Sequence, residues 1–108
     1  MANESAELAA QAPPAACGSV ALDIGPGRGG LIIYPGERFR GREIEISRAG
    51  ETRRVHTGVH VRTTRSRSML TAIFGSLSAG RYVIWENATT PGPVVSVPDG
   101  GVAEVRLV

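Results

Sequence analysis

The sequence predicts an all-β fold, a seven- or eight-stranded antiparallel β-sandwich. Three observations point there. Short apolar-alternating or β-branched runs recur along the chain: VALDI, LIIYP, GREIEIS, RRVHTGVHVRT, SMLTAIF, RYVIWEN, PVVSV and VAEVRLV. Glycine or proline stands at nearly every junction between them, and no stretch sustains helical periodicity. At 108 residues the chain has room for one domain with a modest core.

The first eighteen residues, MANESAELAAQAPPAACG, hold almost no large apolar side chain and are broken by Pro13-Pro14. They cannot bury enough surface to offset the entropy of ordering, so a flexible tail is expected over 1–18, with transient helix at Glu4–Gln11. The sandwich domain is expected over 19–108. Its first run, VALDI, leads into Gly25-Pro26-Gly27-Arg28-Gly29-Gly30, which matches the G-x-G-x-x-G spacing of a dinucleotide loop. That chemistry needs a helix N-terminus behind the glycines, to set free amides against a pyrophosphate. Leu31-Ile32-Ile33-Tyr34-Pro35 reads as a strand instead, so the segment is expected to be a glycine-rich turn with Arg28 at its tip.

In the middle of the chain alternation assigns faces. Ile44 and Ile46 oppose Glu43 and Glu45, while Val55, Val59 and Val61 oppose Arg54, His56, His60 and Arg62. A turn at Arg48-Ala49-Gly50-Glu51 would set Ile44 against Val55 in the core, Glu45 against Arg54 and Glu43 against His56 outside. A slip of one residue would bring valines against glutamates. The spacing His56-x3-His60 would suit one metal on a helix, but on an extended strand the two lie roughly 13 Å apart. No metal and no cofactor is expected. Cys17 is the one cysteine, so no intrachain disulfide can form.

From Ala72 onward Phe74, Leu77, Gly80 and Tyr82 fall in the order F-x-x-L-x-x-G-x-Y within AIFGSLSAGRYVIW. Two further alternating runs follow, separated by Pro98-Asp99-Gly100-Gly101, which reads as a hairpin turn. This half of the chain resembles the prealbumin-like, or carboxypeptidase regulatory-like, domains, with the likeness strongest over 70–108 and carried by Leu70, Ala72, Phe74, Leu77, Gly80 and Tyr82. The resemblance implies a β-sandwich that serves as a non-catalytic appendage or partner-binding module. Small stand-alone relatives sometimes carry a phospholipase label, which makes a lipid-acting hydrolase the rival expectation. The residues do not favour it: Ser76 and Ser78 do not satisfy G-x-S-x-G, and strands flank them on both sides where a nucleophile elbow needs a following helix. A carbohydrate-binding module comes third, since only Trp85 offers a sugar-stacking platform.

All twelve basic residues are arginine, the composition of a GC-rich genome such as those of actinobacteria, and nine of them lie between Arg38 and Arg67. Most are expected to be a solvated face interleaved with glutamates. The cluster with chemical character is Arg54, His56, His60, Arg62, Arg65 and Arg67, a candidate binding face for an acidic protein surface or an anionic lipid headgroup. Nucleic acid fits poorly, because stacking aromatics and a groove-fitting helix are lacking. With no basic-then-apolar leader and no apolar run of eighteen, a cytoplasmic location is expected, and Asn87-Ala88-Thr89 reads as a turn rather than a glycosylation site. The expected function is a non-catalytic binding or accessory module, pairing with another protein or with its own copy through a sheet edge or the Arg/His face.

Overall fold

A computed structural model describes residues 24–108. The expected tail, Cys17 and most of the VALDI run lie outside the described residues. Among those described, eight strands form two four-stranded sheets that share one core, and there is no α-helix. The first sheet contains β1 (Arg28–Pro35), β4 (His60–Thr63), β5 (Ser68–Ser78) and β8 (Val102–Leu107), in the order β4-β5-β1-β8. The second contains β2 (Glu43–Arg48), β3 (Arg54–Gly58), β6 (Gly80–Trp85) and β7 (Pro91–Val97), in the order β3-β2-β6-β7.

Alternation explains which side of each strand turns inward. On β1 it buries Leu31, Ile33 and Pro35, on β2 Ile44 and Ile46, on β5 Ala72 and Phe74, and on β6 Tyr82 and Ile84. Apart from Pro35, these side chains, with Phe39, Leu77, Val97 and Leu107, make one cluster between the sheets. Burying a side chain of this size is worth about 1.5–3 kcal/mol, so the cluster supplies the main force holding the sheets together. The motif residues Leu70, Ala72, Phe74, Leu77 and Tyr82 are all buried.

Beyond the passage from β1 to β2 through residues 36–42, three strand-to-strand connections among the described residues cross between the sheets, and two of them correct a sequence expectation. The run Arg54–Thr63 is two strands, because the chain leaves the second sheet at Gly58 and joins the first at His60, where the Val59 amide donates to the Arg42 carbonyl at 3.0 Å. Val59 packs on the core, but Val55 and Val61 stay 39% and 51% exposed, since each sits on a strand at the margin of its sheet. The second crossing is at Ala79, where the chain passes from β5 to β6. The Tyr82 hydroxyl secures it by donating to the Ser78 carbonyl at 2.7 Å.

The third crossing is Pro98–Gly101, which therefore does not close a hairpin. It sends β8 into the first sheet beside β1, and the two run parallel, from Gly30 opposite Val102 to Pro35 opposite Leu107. Among the described residues the sheets are thus antiparallel in every pairing but this one. A parallel pair needs a long connection between its strands, and here all the intervening chain provides it. The β2–β3 hairpin does form, two residues out of the expected register: Ile46 lies opposite Val55 and Ile44 opposite Thr57. A slip of two keeps every side chain on its own face, so alternation could not detect it.

Candidate functional site

The six arginines and histidines of the expected binding face do not share one surface. Arg54 and His56 sit opposite Ser47 and Glu45 on the outer side of the second sheet. His60 and Arg62 sit opposite Thr71 and Met69, on the side of the first sheet that turns away from the core. Arg65 and Arg67 belong to the turn between β4 and β5, where the Thr64 amide donates to the Arg67 carbonyl at 2.7 Å. Alternation along one continuous strand had aligned them, and the crossing at Val59 separates them.

Their partners give several of these groups structural work. Glu45 reaches diagonally to Arg54 at 2.8 Å, and Glu43 faces His56 Nδ1 at 3.4 Å, both within the span of diagonal cross-strand neighbours. The Arg54 guanidinium also covers Trp85, whose indole N–H donates to Ser47 Oγ at 3.0 Å. A ring so covered has lost a face that a sugar would need. Elsewhere in the arginine-dense run, Arg38 pairs with Glu86, Arg40 with Glu37, and Arg42 donates to the Glu86 carbonyl. His56 and His60 stand on strands of different sheets, and among the described residues no three His, Cys, Asp or Glu side chains gather as metal ligands.

The serines weighed for catalysis are also engaged. Arg28 donates through Nε to Ser76 Oγ at 2.9 Å and through Nη1 to Ser78 Oγ at 3.2 Å. A nucleophilic serine needs a base to accept its proton, and an arginine cannot be one. Arg28 itself opens β1 rather than tipping a loose loop, and the preceding glycines lead into a strand.

Sheet margins remain as the other place for a partner. Among the described residues β3, β4, β7 and β8 each have a hydrogen-bonded neighbour on one side only. β7 starts Pro91-Gly92-Pro93, which blunts it, β4 is four residues long, and β3 carries the charged pairs just described. β8 has six residues with neither proline nor glycine. Its polarity can be fixed: the Gly101 carbonyl accepts from the Gly30 amide at 2.9 Å and the Leu107 carbonyl from the Gly36 amide at 2.7 Å. Backbone groups alternate sides along a strand, so Ala103 and Val105 also face β1, while Val102, Glu104 and Arg106 present theirs at the margin.

No protein-family model, curated protein or solved structure matches the chain.

Beside β8 lies a hollow of about 670 Å3, with Tyr34, Met69, Leu70 and Leu107 among its lining and Arg67 and Arg106 at its border. The Tyr34 hydroxyl donates to Glu104 Oε1 at 2.7 Å, holding that border in place. Glu37 also lines the hollow, and its hydrogen bond from Arg40 holds the carboxyl below the ordinary range. Of the residues expected to bind, only Arg67 is found here. Tyr34, Glu104 and Arg106 were not anticipated, and the legible signal was the proline-free alternation of VAEVRLV. No helix among the described residues is long and apolar enough to cross a membrane.

Proposed function

We propose that the chain is a non-catalytic binding module that takes an extended segment of a protein partner along β8. The observation that carries this reading is the row of backbone groups on Val102, Glu104 and Arg106, facing away from β1 on a strand without proline, glycine or bulge. A row of this kind templates another strand, and main-chain bonds supply affinity whatever the partner's sequence. The adjoining hollow would take alternate side chains of the added segment and so supply selectivity. The prealbumin-like reading of the fold belongs with this proposal and is supported by the buried Phe74, Leu77 and Tyr82 spacing.

The test uses Arg106→Pro in the full-length chain. Proline removes one amide from the margin and leaves the ladder to β1 intact, so thermal stability should stay close to that of the wild type. A stoichiometric partner purified with the tagged wild-type protein from its host should be lost with the variant. If the companion is a second copy of the chain, light scattering should show the variant as a monomer. Retention of the same companion at the same stoichiometry by a folded Arg106→Pro would overturn the proposal.

A further inference from the structure

A second hollow, of about 320 Å3, opens where β5 crosses into β6. Arg28, Arg48 and Arg53 line it together with Ser76, Ser78 and Tyr82, and Glu51 is the one acid among the described residues that line it. Three guanidinium charges thus meet one carboxylate. That carboxylate lies 3.8 Å from Arg48 Nε, beyond hydrogen-bond reach. The Arg53 guanidinium makes no hydrogen bond or ion pair with any other described residue.

The hollow has donors to spare and few acceptors. Arg28 spends three of its five N–H groups, on Ser76 Oγ, Ser78 Oγ and the Ser76 carbonyl at 3.1 Å. Both serine oxygens act there as acceptors, so each hydroxyl keeps its own proton to donate. Arg48 Nη1 is shared among the Ser78 and Ala79 carbonyls and the Tyr82 hydroxyl at 3.3–3.4 Å, all of them long. The Tyr82 proton is already given to the Ser78 carbonyl. What remains is a concentration of N–H and O–H donors around a cationic space, with almost nothing to accept from them.

The donors are held in place by the fold. The Arg28 amide donates to the Gly25 carbonyl at 3.0 Å, and its carbonyl accepts from the Gly100 amide at 2.7 Å. Arg48 lies across Gly80 so closely that a Cβ at that position would sit 2.8 Å from its Nη2. Glycine at the crossing is what admits the guanidinium.

We propose that this hollow binds a tetrahedral oxyanion, the phosphate or sulfate group of a small ester. Donors converge from β1, from the end of β2 and from the Ser76–Ser78 segment, which suits three or four oxygens in a tetrahedron better than the two of a planar carboxylate. The volume exceeds that of the oxyanion alone and leaves room for a short organic substituent.

The test titrates inorganic phosphate, sulfate and glycerol 3-phosphate into the isotope-labelled full-length chain at constant ionic strength, with chloride and acetate as controls. Saturable amide shifts are expected at Ser76, Ser78 and Gly80 with all three tetrahedral anions and with neither control. Arg53→Gln and Ser76→Ala should each weaken binding by about tenfold, the scale of one charge-assisted hydrogen bond, whereas Arg81→Gln on the outer side of the second sheet should leave it unchanged. Raising the pH from 6 to 8 should tighten phosphate but not sulfate if the dianion is bound, and glycerol 3-phosphate should exceed inorganic phosphate if the extra volume holds the ester. Shifts that fail to saturate, that acetate reproduces, or that Arg81→Gln reduces as much as Arg53→Gln would overturn the proposal.

Discussion

The Arg54 guanidinium lies 3.6 Å from the centroid of the Trp85 ring, bridging β3 to β6 across the outer side of β2. Arg54 also pairs with Glu45, and its side chain is only 25% exposed. The stacking is worth about 0.5–1 kcal/mol and the partly shielded ion pair a similar amount. Arg54→Gln should therefore destabilise the domain by about 1–2 kcal/mol. Trp85 is the chain's one tryptophan, so urea unfolding followed by its fluorescence reports the site directly. Arg65→Gln, in the exposed β4–β5 turn, should change the stability by no more than about 0.5 kcal/mol. Equal effects from the two would show that the stack does not stabilise the sheet.

Phe39 and Phe74 are buried in the same core from different kinds of segment. Phe74 lies within β5, while Phe39 ends the short 3-10 turn Glu37–Phe39 and is 1% exposed, with Arg38 and Arg42 guanidiniums 4.2 and 4.9 Å from its ring. Truncating either to alanine should cost about 3–5 kcal/mol. That is a large share of the 5–15 kcal/mol typical of a domain, so both variants should melt far below the wild type or fail to fold. A Phe39→Ala protein with a wild-type melting temperature would mean that the turn does not seat its ring in the core.

The two phenylalanines also mark what the sequence could and could not reveal. Phe74 was legible because a strand has a period of two, and Ile44, Ile46 and Tyr82 were legible for the same reason. Phe39 was not, since a three-residue turn has no period. Asn87 was read as a turn residue and accepts from the Thr89 and Thr90 amides at 3.0 Å, because an Asx turn is local chemistry. Sheet membership was beyond reach: alternation says which side of a strand is wet, but not which sheet it joins. The crossings at Val59 and at Pro98–Gly101 therefore misplaced the histidines and suggested a hairpin. Arg28 meeting Ser76 across 48 residues and Arg54 meeting Trp85 follow from which strands share a sheet and carry no local signature.

Gly29 tests the crossing at Pro98–Gly101. A Cβ there would stand 2.1 Å from the Pro98 carbonyl oxygen and 2.8 Å from Val97 Cγ1, and a backbone atom cannot move aside as a flexible side-chain tip can. Gly29→Ala should thus prevent folding or destabilise by more than the 1–3 kcal/mol usual for overpacking. Gly25, four residues earlier, has open space where its Cβ would go, and Gly25→Ala should be close to neutral. Thermal melts of the two proteins decide the matter. If they coincide, β1 and the crossing do not approach as closely as described.

Glu37 and Arg40 bracket the turn that seats Phe39, and their interaction titrates. The hydrogen bond from Arg40 is the largest influence on Glu37 and lowers its pKa, partial desolvation opposes it, and the charge of Arg40 lowers it further. A carboxyl whose folded-state pKa is depressed adds stability above its unfolded pKa, and that addition is lost as the pH falls through the folded value. Both side chains are largely exposed to solvent, so the pair's contribution is small and weakens with salt. In an NMR titration the Glu37 side-chain carboxyl should reach its midpoint below that of the same residue in the urea-unfolded chain. Arg40→Gln should remove most of the difference, and 1 M salt should shrink it. Matching midpoints in the folded wild type and in Arg40→Gln would show that the turn holds no such pair in solution.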